Sequence, residues 1–186
     1  MNENHLACAS DEWRAAVRDF IIPWAVAGGD LGDDVLEVGP GYGATTDVFR
    51  EQVAGLTAVE IDPELAAALA TRLAGTNVTV VEGDATALSF EPDRFTGATC
   101  FAMLHHVPSA GLQDRLFAEV ARVVRPGGLF VASDSLPSDD LRAFHDGDTY
   151  VPVDPDSIGA RLEQAGFTAV DVSVNDFGWS ARSRVS

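Results

Sequence analysis

The sequence predicts an α/β fold with a seven-stranded, mostly parallel sheet, helices on both faces and a C-terminal antiparallel hairpin. Three observations predict it. Five short apolar runs alternate with helical patterns, a glycine-rich turn follows the first run, and two closely spaced strand patterns end the chain. Strands separated by helices form parallel sheets that are covered on both faces. Two strands joined by a short connection must instead pair antiparallel, since a parallel pair needs a crossover of about a dozen residues or more.

The first predicted element is an N-terminal amphipathic helix. Ser10 is a favourable N-cap, and apolar residues recur at helical spacing from there to Phe20. Pro23 is expected to break or kink this helix, and Gly28-Gly29 is expected to end it.

Periodicity and turn signals place the remaining elements. The apolar runs predict strands at residues 35–38, 56–61, 78–81, 98–104 and 129–133. Helical patterns lie at residues 45–54, 63–73, 112–124 and 158–165. Pro126-Gly127-Gly128 is expected to stop the helix at 112–124. The final pair of strands is predicted at residues 167–174 and 177–182.

Length and the lack of repeats or linkers favour one domain spanning residues 1–186. We expect residues 1–28 to form a helical cover, residues 30–135 to form the core, and residues 136–186 to add a C-terminal helix and hairpin.

Composition limits the classes of partner. Lys and Arg number 12 against 29 Asp and Glu, for a formal net charge of −17. Nucleic acids and anionic lipids are bound through cationic contacts with phosphate, so this charge disfavours both. No apolar run approaches the roughly 18 residues of a membrane span, and no secretory signal is evident. Cys8 and Cys100 lack disulfide or metal-ligand spacing, so the cytoplasm is the expected location.

The stretch VLEVGPGYGATT, residues 35–46, joins a strand to a helix through three glycines. Gly39, Gly41 and Gly43 would let a ligand approach bare backbone, as in nucleotide-binding loops. Glu60 ends the next strand at a suitable distance along the chain to hydrogen-bond a ribose. This pattern alone admits a nicotinamide dinucleotide or another adenosine-containing ligand.

Glu37 bears on that choice. It lies two residues before Gly39, in a strand that otherwise has a buried pattern. A buried carboxylate is costly unless it is paired or hydrogen-bonded. A ligand that carries an ammonium group beside the glycine loop would supply the partner.

Five segments in order carry a resemblance to a known family. They are VLEVGPGYG, LTAVEIDPEL, VEGDATAL, FAMLHHV and EVARVVRPGGLFVASDS. Together they resemble the motif series of the class I S-adenosylmethionine (SAM)-dependent methyltransferases, and are most similar to the small-molecule branch called type 11. The resemblance covers roughly residues 30–135. It implies a Rossmann-like fold with SAM bound by this core, a substrate side formed by residues 136–186, and in-line methyl transfer to a small molecule.

The resemblance also implies roles for individual residues. Glu37 would orient the methionine amino group, Glu60 would accept from both ribose hydroxyls, and Asp84 would accept from the adenine amino group. The remaining cofactor contacts would come from Gly39, Gly41, Gly43, Ile61, Ala85 and Phe101. Structural alternatives exist, because Glu60 could cap the next helix, although Asp62 is better placed, and Asp84 could be an ordinary turn residue.

Three residues are candidates for catalysis, namely His105 and His106 after the fourth strand and Asp134 at the end of the fifth. A methyl transfer to oxygen or nitrogen needs an aligned acceptor and removal of a proton, and histidine titrates near neutrality. His106 is favoured slightly over His105. The alternative is structural, with one imidazole closing the turn and Asp134 capping the next. His145 and Tyr150 lie where a substrate loop is expected, without a sequence signal that ties them to the site.

The segment after the fifth strand sets expectations for the pocket and for metals. Its twenty residues, SLPSDDLRAFHDGDTYVPVD, leave no room for the helical lid of many relatives, so a shallow pocket is expected unless residues before Ser10 or a second subunit close it. A homodimer is therefore left open. No metal site is predicted, because Asp139-Asp140 and Asp146-x-Asp148 are interpreted as solvated loop charges.

Two other functions remain open at the level of sequence. One is a nicotinamide-dependent oxidoreductase that uses the same loop, and the other is a non-catalytic cofactor- or partner-binding module. Within the methyltransferase interpretation, FAMLHH stands where amino-methylating relatives carry a DPPY or NPPY motif. This difference disfavours adenine and glutamine amides as acceptors.

Overall fold

A seven-stranded sheet runs through the centre of the molecule. The computed structural model describes residues 3–176 and 178–186. The strands are β1 (Asp34–Val38), β2 (Gly55–Glu60), β3 (Val78–Glu82), β4 (Phe95–Phe101), β5 (Val124–Asp134), β6 (Phe167–Asn175) and β7 (Gly178–Val185). Their spatial order is β3-β2-β1-β4-β5-β7-β6. All pairings are parallel except those of β7, which is antiparallel to both β5 and β6, so the predicted fold class is confirmed.

Helices cover both faces of this sheet. They are α1 (Asp11–Ala16), α2 (Ile22–Val26), α3 (Ala44–Phe49), α4 (Pro63–Arg72), α5 (Ala110–Val123), α6 (Asp139–Phe144) and α7 (Pro155–Gln164). Short 3₁₀ helices occur at Glu3–Ala9 and Leu104–His106, and are called here the N-terminal segment and the LHH turn. None of the helices in the described ranges is long and apolar enough to cross a membrane.

Side chains on the two faces of β1 belong to two separate layers of the hydrophobic core. Leu36 and Val38 pack in the layer that α5 and α7 cover, whereas Val35 packs in the layer beneath α2 and α3. Successive side chains of a strand point to opposite faces of its sheet. Glu37 therefore shares the face of Val35 and is directed toward α3.

The N-terminal helix bends around Pro23 without a break. A π-helical stretch, Val17–Ile21, links α1 to α2, and the Ile22 N–H donates to the Val17 carbonyl. This wider turn accommodates a proline near the start of α2, where its missing N–H costs little. Ser10 caps α1 as predicted, by accepting from the Trp13 N–H. The helix ends at Ala27 in the left-handed conformation, one residue before the predicted glycines.

Several boundaries differ from the predicted ones. The strand predicted to begin at Leu129 begins at Val124, because the segment 125–128 bulges out where the β4–β5 register shifts between Phe95 and Gly97. Leu104, which the sequence predicts to end a strand, lies instead in the LHH turn. The helix predicted at 45–54 ends at Phe49. α6 was not predicted, and the predicted start of the last strand, at residue 177, lies outside the described residues.

Candidate functional site

The carboxyl ends of β1, β2, β4 and β5 lie along one edge of the sheet and bear the candidate residues. β1 pairs with β2 on one side and with β4 on the other, so the strand order reverses between β1 and β4. Ligands of open α/β sheets bind in the crevice at such a reversal. The glycine loop after β1 and the LHH turn after β4 flank this crevice.

The three glycines of the loop serve two different purposes. All have positive φ, at 67° for Gly39, 53° for Gly41 and 81° for Gly43, a region that residues with a Cβ rarely adopt. A Cβ on Gly39 would lie 2.7 Å from the Met103 side chain, and one on Gly43 would lie 2.6 Å from Leu69. A Cβ on Gly41 would have no atom within 4 Å. Packing thus requires two of the glycines, whereas the third borders open space.

Charged side chains hold the glycine loop and the helix that follows it, α3, in place. Arg72 of α4 donates to the Asp47 carboxylate, at 2.7 and 2.9 Å, and to the Tyr42 carbonyl at 3.3 Å. Arg14 of α1 also donates to Asp47, at 2.8 Å. Arg72 therefore ties the loop to α4, and Asp47 joins α3 to both α1 and α4.

Glu60 connects the glycine loop to the turn after β2. Its Oε2 accepts from the Gly41 N–H at 2.9 Å, and its Oε1 accepts from the Asp62 N–H at 3.0 Å. Asp62, rather than Glu60, caps α4 by accepting from the Glu64 and Leu65 N–H groups. Each Glu60 oxygen retains a lone pair, since a carboxylate oxygen can accept two hydrogen bonds.

Glu37 is a buried acid with one satisfied oxygen. Only 2% of its surface is exposed. Thr45 of α3 donates to Oε1, while Oε2 has no hydrogen-bond partner among the described residues. Burial raises the Glu37 pKa from 4.5 to about 7, and the neighbouring Thr45 and Thr46 hydroxyls oppose this rise. An orphaned carboxylate oxygen beside a glycine loop is where a cationic group would be stabilised.

The remaining predicted cofactor contacts lie along the same edge. Ile61 is 66% exposed directly after β2, which leaves an apolar surface uncovered. Asp84 is exposed, and its Oδ1 accepts from the Thr86 N–H at 2.8 Å, so it also shapes the turn after β3. Ala85 is buried behind it. Phe101 ends β4 with its ring in the core, 5.6 Å from that of Phe49.

His105 and Asp134 form an oriented pair at the ends of β4 and β5. His105 Nδ1 lies 2.7 Å from Asp134 Oδ1, and the His105 N–H donates to Oδ2 at 3.1 Å. Because a carboxylate only accepts, Nδ1 carries the proton and Nε2 is left as the acceptor. Asp134 Oδ1 also accepts from the Ser135 N–H. Asp134 thus orients His105 and shapes the following turn.

His106 lies in different surroundings. Its pKa is lowered to about 3, first because burial disfavours the charged ring and then because His105, His5 and His145 are close. Its ring is 4.2 Å from that of His105, 4.9 Å from that of His5 and 5.0 Å from that of His145, measured between centroids. At neutral pH His106 is therefore a neutral imidazole with little tendency to take a proton.

The four histidines of the chain meet at this point. Sequence reasoning missed His5, and it noted His145 and Tyr150 without a link to the site. His145 lies 4.8 Å from His105 and stacks on Tyr150 at 4.7 Å, between ring centroids. No spacing motif joins residue 5 to the LHH turn, so nothing in the sequence indicates the cluster.

The N-terminal segment and α6 pack over the LHH turn. Asn4 donates to the Phe144 carbonyl at 2.7 Å, and His5, 3% exposed, packs its ring 5.1 Å from that of Phe144. Buried Gln113 donates to the carbonyls of Leu104 and Val151, which ties the LHH turn to the loop after α6. Residues before Ser10 thus provide cover that the short segment after β5 does not provide alone.

Two surface depressions lie away from these residues. One, of about 520 Å³, is bordered by α2, β6 and β7, and the other, of about 350 Å³, lies at the amino ends of β1 and β2. Neither contains Glu37, Glu60 or a histidine. Because ligands of such sheets bind at the carboxyl ends, the candidate site is the group of polar residues described above and not either depression.

Comparisons with known proteins identify the family of the chain. Residues 36–132, just over half of the chain, match the family model described as a methyltransferase domain. The ribosomal RNA small subunit methyltransferase A of Chlorobaculum parvum is 39% identical over 77 residues, which cover 41% of this chain and 27% of that protein. The chain matches less than a third of the length of such curated relatives.

Solved structures match over a larger share of the chain. A protein from Pyrococcus horikoshii has a TM-score of 0.80 at 16% identity, with 100% of both chains covered. A SAM-dependent methyltransferase from Aquifex aeolicus has a TM-score of 0.72 at 16% identity, covering 92% of this chain and 93% of that one. At these identities the likeness establishes a shared fold.

Proposed function

Because the chain belongs to the methyltransferase domain family, as a class I SAM-dependent methyltransferase, we propose that it transfers a methyl group from SAM to a small-molecule acceptor. Its cofactor is SAM, which when bound supplies a sulfonium methyl group that needs no activation by the protein. The observation that carries the assignment of the site is the buried Oε2 of Glu37, which lies beside the glycine loop and has no hydrogen-bond partner in the part of the chain that the structure describes.

The residues at the carboxyl edge fit the parts of this cofactor. Glu37 Oε2 pairs with the methionine ammonium group, and the open space at Gly41 admits the ligand against the backbone. Glu60 accepts from the ribose hydroxyls with its remaining lone pairs. Ile61 and Ala85 border the adenine, Asp84 accepts from its amino group, and the backbone at Phe101 meets the methionine end. Gly39 and Gly43 hold the loop in the required shape.

For proton removal the geometry favours His105 over His106, although the sequence slightly favoured His106. Asp134 holds His105 with Nε2 as an acceptor, so Nε2 takes the proton that an oxygen or nitrogen acceptor loses. His106, with its pKa lowered to about 3, is a poor base at neutral pH. Asp134 is a positioning residue, because its oxygens already accept from His105 and Ser135.

A small acceptor is supported by cover and by charge. His105 is 9% exposed and is surrounded by the rings of His106, His145 and Tyr150, which restricts what can reach its ring. The net charge of −17 would repel RNA phosphates. The partial match to ribosomal RNA methyltransferases makes RNA the rival acceptor. Glu37 disfavours a nicotinamide dinucleotide, because that ligand lacks an ammonium group.

The test is S-adenosylhomocysteine (SAH) formation from SAM, measured by mass spectrometry with two sets of acceptors. One is a panel of small molecules bearing hydroxyl, amine, thiol or acidic carbon groups, and the other is small-subunit ribosomal RNA. We expect turnover with members of the panel, and a loss of about 10²–10⁴-fold in kcat for His105→Gln and Asp134→Asn with SAH affinity retained. Turnover on RNA alone would replace the proposed acceptor. SAH binding without turnover on either set would favour the non-catalytic module.

A further inference from the structure

We propose that His5, His106 and His145 form a binding site for one divalent transition-metal cation of the zinc class. The bound cation would fasten the N-terminal segment over the LHH turn. Each residue offers one ring nitrogen, and these three nitrogens lie within 4.8 Å of one another. The three ring centroids form a nearly equilateral triangle with sides of 4.9, 4.9 and 5.0 Å.

His145 carries the strongest evidence for a ligand. Its Nδ1 lies 2.7 Å from the Leu141 carbonyl, which can only accept, so Nδ1 bears the proton and Nε2 bears the lone pair. His145 is 4% exposed, and its Nε2 has no hydrogen-bond partner among the described residues. A ring fixed through one nitrogen to a carbonyl, with the other nitrogen bare, is the arrangement of histidine ligands in metal sites.

His5 lies near a carboxylate. Its Nδ1 lies 3.7 Å from Asp148 Oδ2, and Asn4 fastens the adjacent backbone to α6. At this distance the carboxylate adds negative charge close to a bound cation, without the direct hydrogen bond that fixes His145.

The type of donor atom and the distances between the three nitrogens indicate which class of metal would bind. Three imidazoles suit zinc and its neighbours, whereas calcium and magnesium need oxygen ligands. Zinc–nitrogen bonds of about 2.0–2.1 Å in a tetrahedral site place the nitrogens about 3.4 Å apart. Ring shifts of about 1 Å would close the triangle on an ion and leave a fourth position for water or for an acceptor atom.

His105 does not belong to this triad, although its ring lies 4.2 Å from that of His106, because it is not among the three residues whose ring nitrogens lie within 4.8 Å of one another. Its Nδ1 is bound to Asp134. The fourth imidazole of the cluster is thus a matched internal control. Sequence reasoning predicted no metal site because the three ligands come from distant parts of the chain.

The experiment is a Co²⁺ titration of untagged, chelator-treated full-length protein, followed by visible absorption, with Zn²⁺ displacing the signal. We expect one equivalent to bind with an affinity tighter than roughly 100 μM. His5→Gln, His106→Gln and His145→Gln should each weaken binding at least about tenfold, while His105→Gln should bind as the wild type does. Zn²⁺ should raise the melting temperature of the wild type and leave that of His145→Gln unchanged.

Three results would overturn this site: no stoichiometric binding by the wild type, unchanged binding by His145→Gln, or loss of binding in His105→Gln alone. SAH binding is measured on every variant as a check of folding. Because the metal readouts need no acceptor and no turnover, they succeed or fail independently of the proposed methyl transfer.

Discussion

Glu37 is a carboxyl group held almost entirely away from water between β1 and α3. Burial raises its pKa from 4.5 to about 7. Since the folded state then binds this proton more tightly than the unfolded chain, the associated stability is present below about pH 4.5 and is lost as the pH rises through 7. The rise of the Glu37 pKa from 4.5 to about 7 corresponds to about 3 kcal/mol in the free energy of unfolding. We therefore expect the buried Glu37 carboxyl group to take part in ligand binding. Pairing with a ligand ammonium group would restore the stability that is lost when Glu37 ionises.

Proton release on ligand binding tests this role. At about pH 6.5 most Glu37 is protonated, so pairing with the ligand ammonium should release roughly 0.8 proton. Isothermal titration with SAH in two buffers of different ionisation enthalpy measures this number. Adenosine, which lacks the amino acid portion, should bind without proton release and serves as the ligand control.

Glu37→Gln should bind SAH more weakly and without proton release, whereas Glu163→Gln, at an exposed position on α7, should behave as the wild type does. A heat of SAH binding that is the same in both buffers would contradict the assigned contact.

At the scale of elements, the loop between β1 and α3 combines packing with an opening for the ligand. Gly41 and Gly75 provide a matched pair, because both have positive φ, at 53° and 80°, and a Cβ on either would meet no atom within 4 Å. Only Gly41 borders the proposed cofactor. Gly75 lies in the turn after α4.

Gly41→Ala and Gly75→Ala should each lower the free energy of unfolding by about 1–2 kcal/mol, the cost of a left-handed alanine. SAH affinity should fall at least about tenfold for Gly41→Ala alone, because its methyl group would occupy ligand space. Chemical denaturation and titration calorimetry measure the two effects. Equal SAH affinity in both variants would show that the ligand does not approach the backbone at Gly41.

Elements with strong periodicity were predictable, and a short helix was not. The strands at β1, β2 and β4 and the helices α4 and α5 follow from apolar spacing and capping residues. α6 was not predicted because DDLRAF is only six residues long, which is too short to show a repeated apolar spacing. The bulge at residues 125–128 depends on the register with β4, which is a tertiary property.

At the scale of the whole molecule, topology brings distant residues to one edge. Ordered motifs predicted Glu37, Glu60, His105 and Asp134 as candidates, because each ends or follows a strand. Their mutual geometry was not predictable. His5 lies far from the LHH turn in the chain, and nothing in the sequence indicates that the N-terminal segment folds back over it. The sequence therefore predicts which residues lie at the strand ends, but not which residues pack over the LHH turn.

The most direct test of the central claim is isothermal titration of the wild type and Glu60→Gln with SAH and with NADH. We expect SAH to bind the wild type with a Kd on the order of 1–100 μM and NADH to give no heat. Glu60→Gln should bind SAH at least about tenfold more weakly, because one charge-assisted acceptor for the ribose is lost. NADH binding comparable to that of SAH, or unchanged SAH affinity in Glu60→Gln, would contradict it.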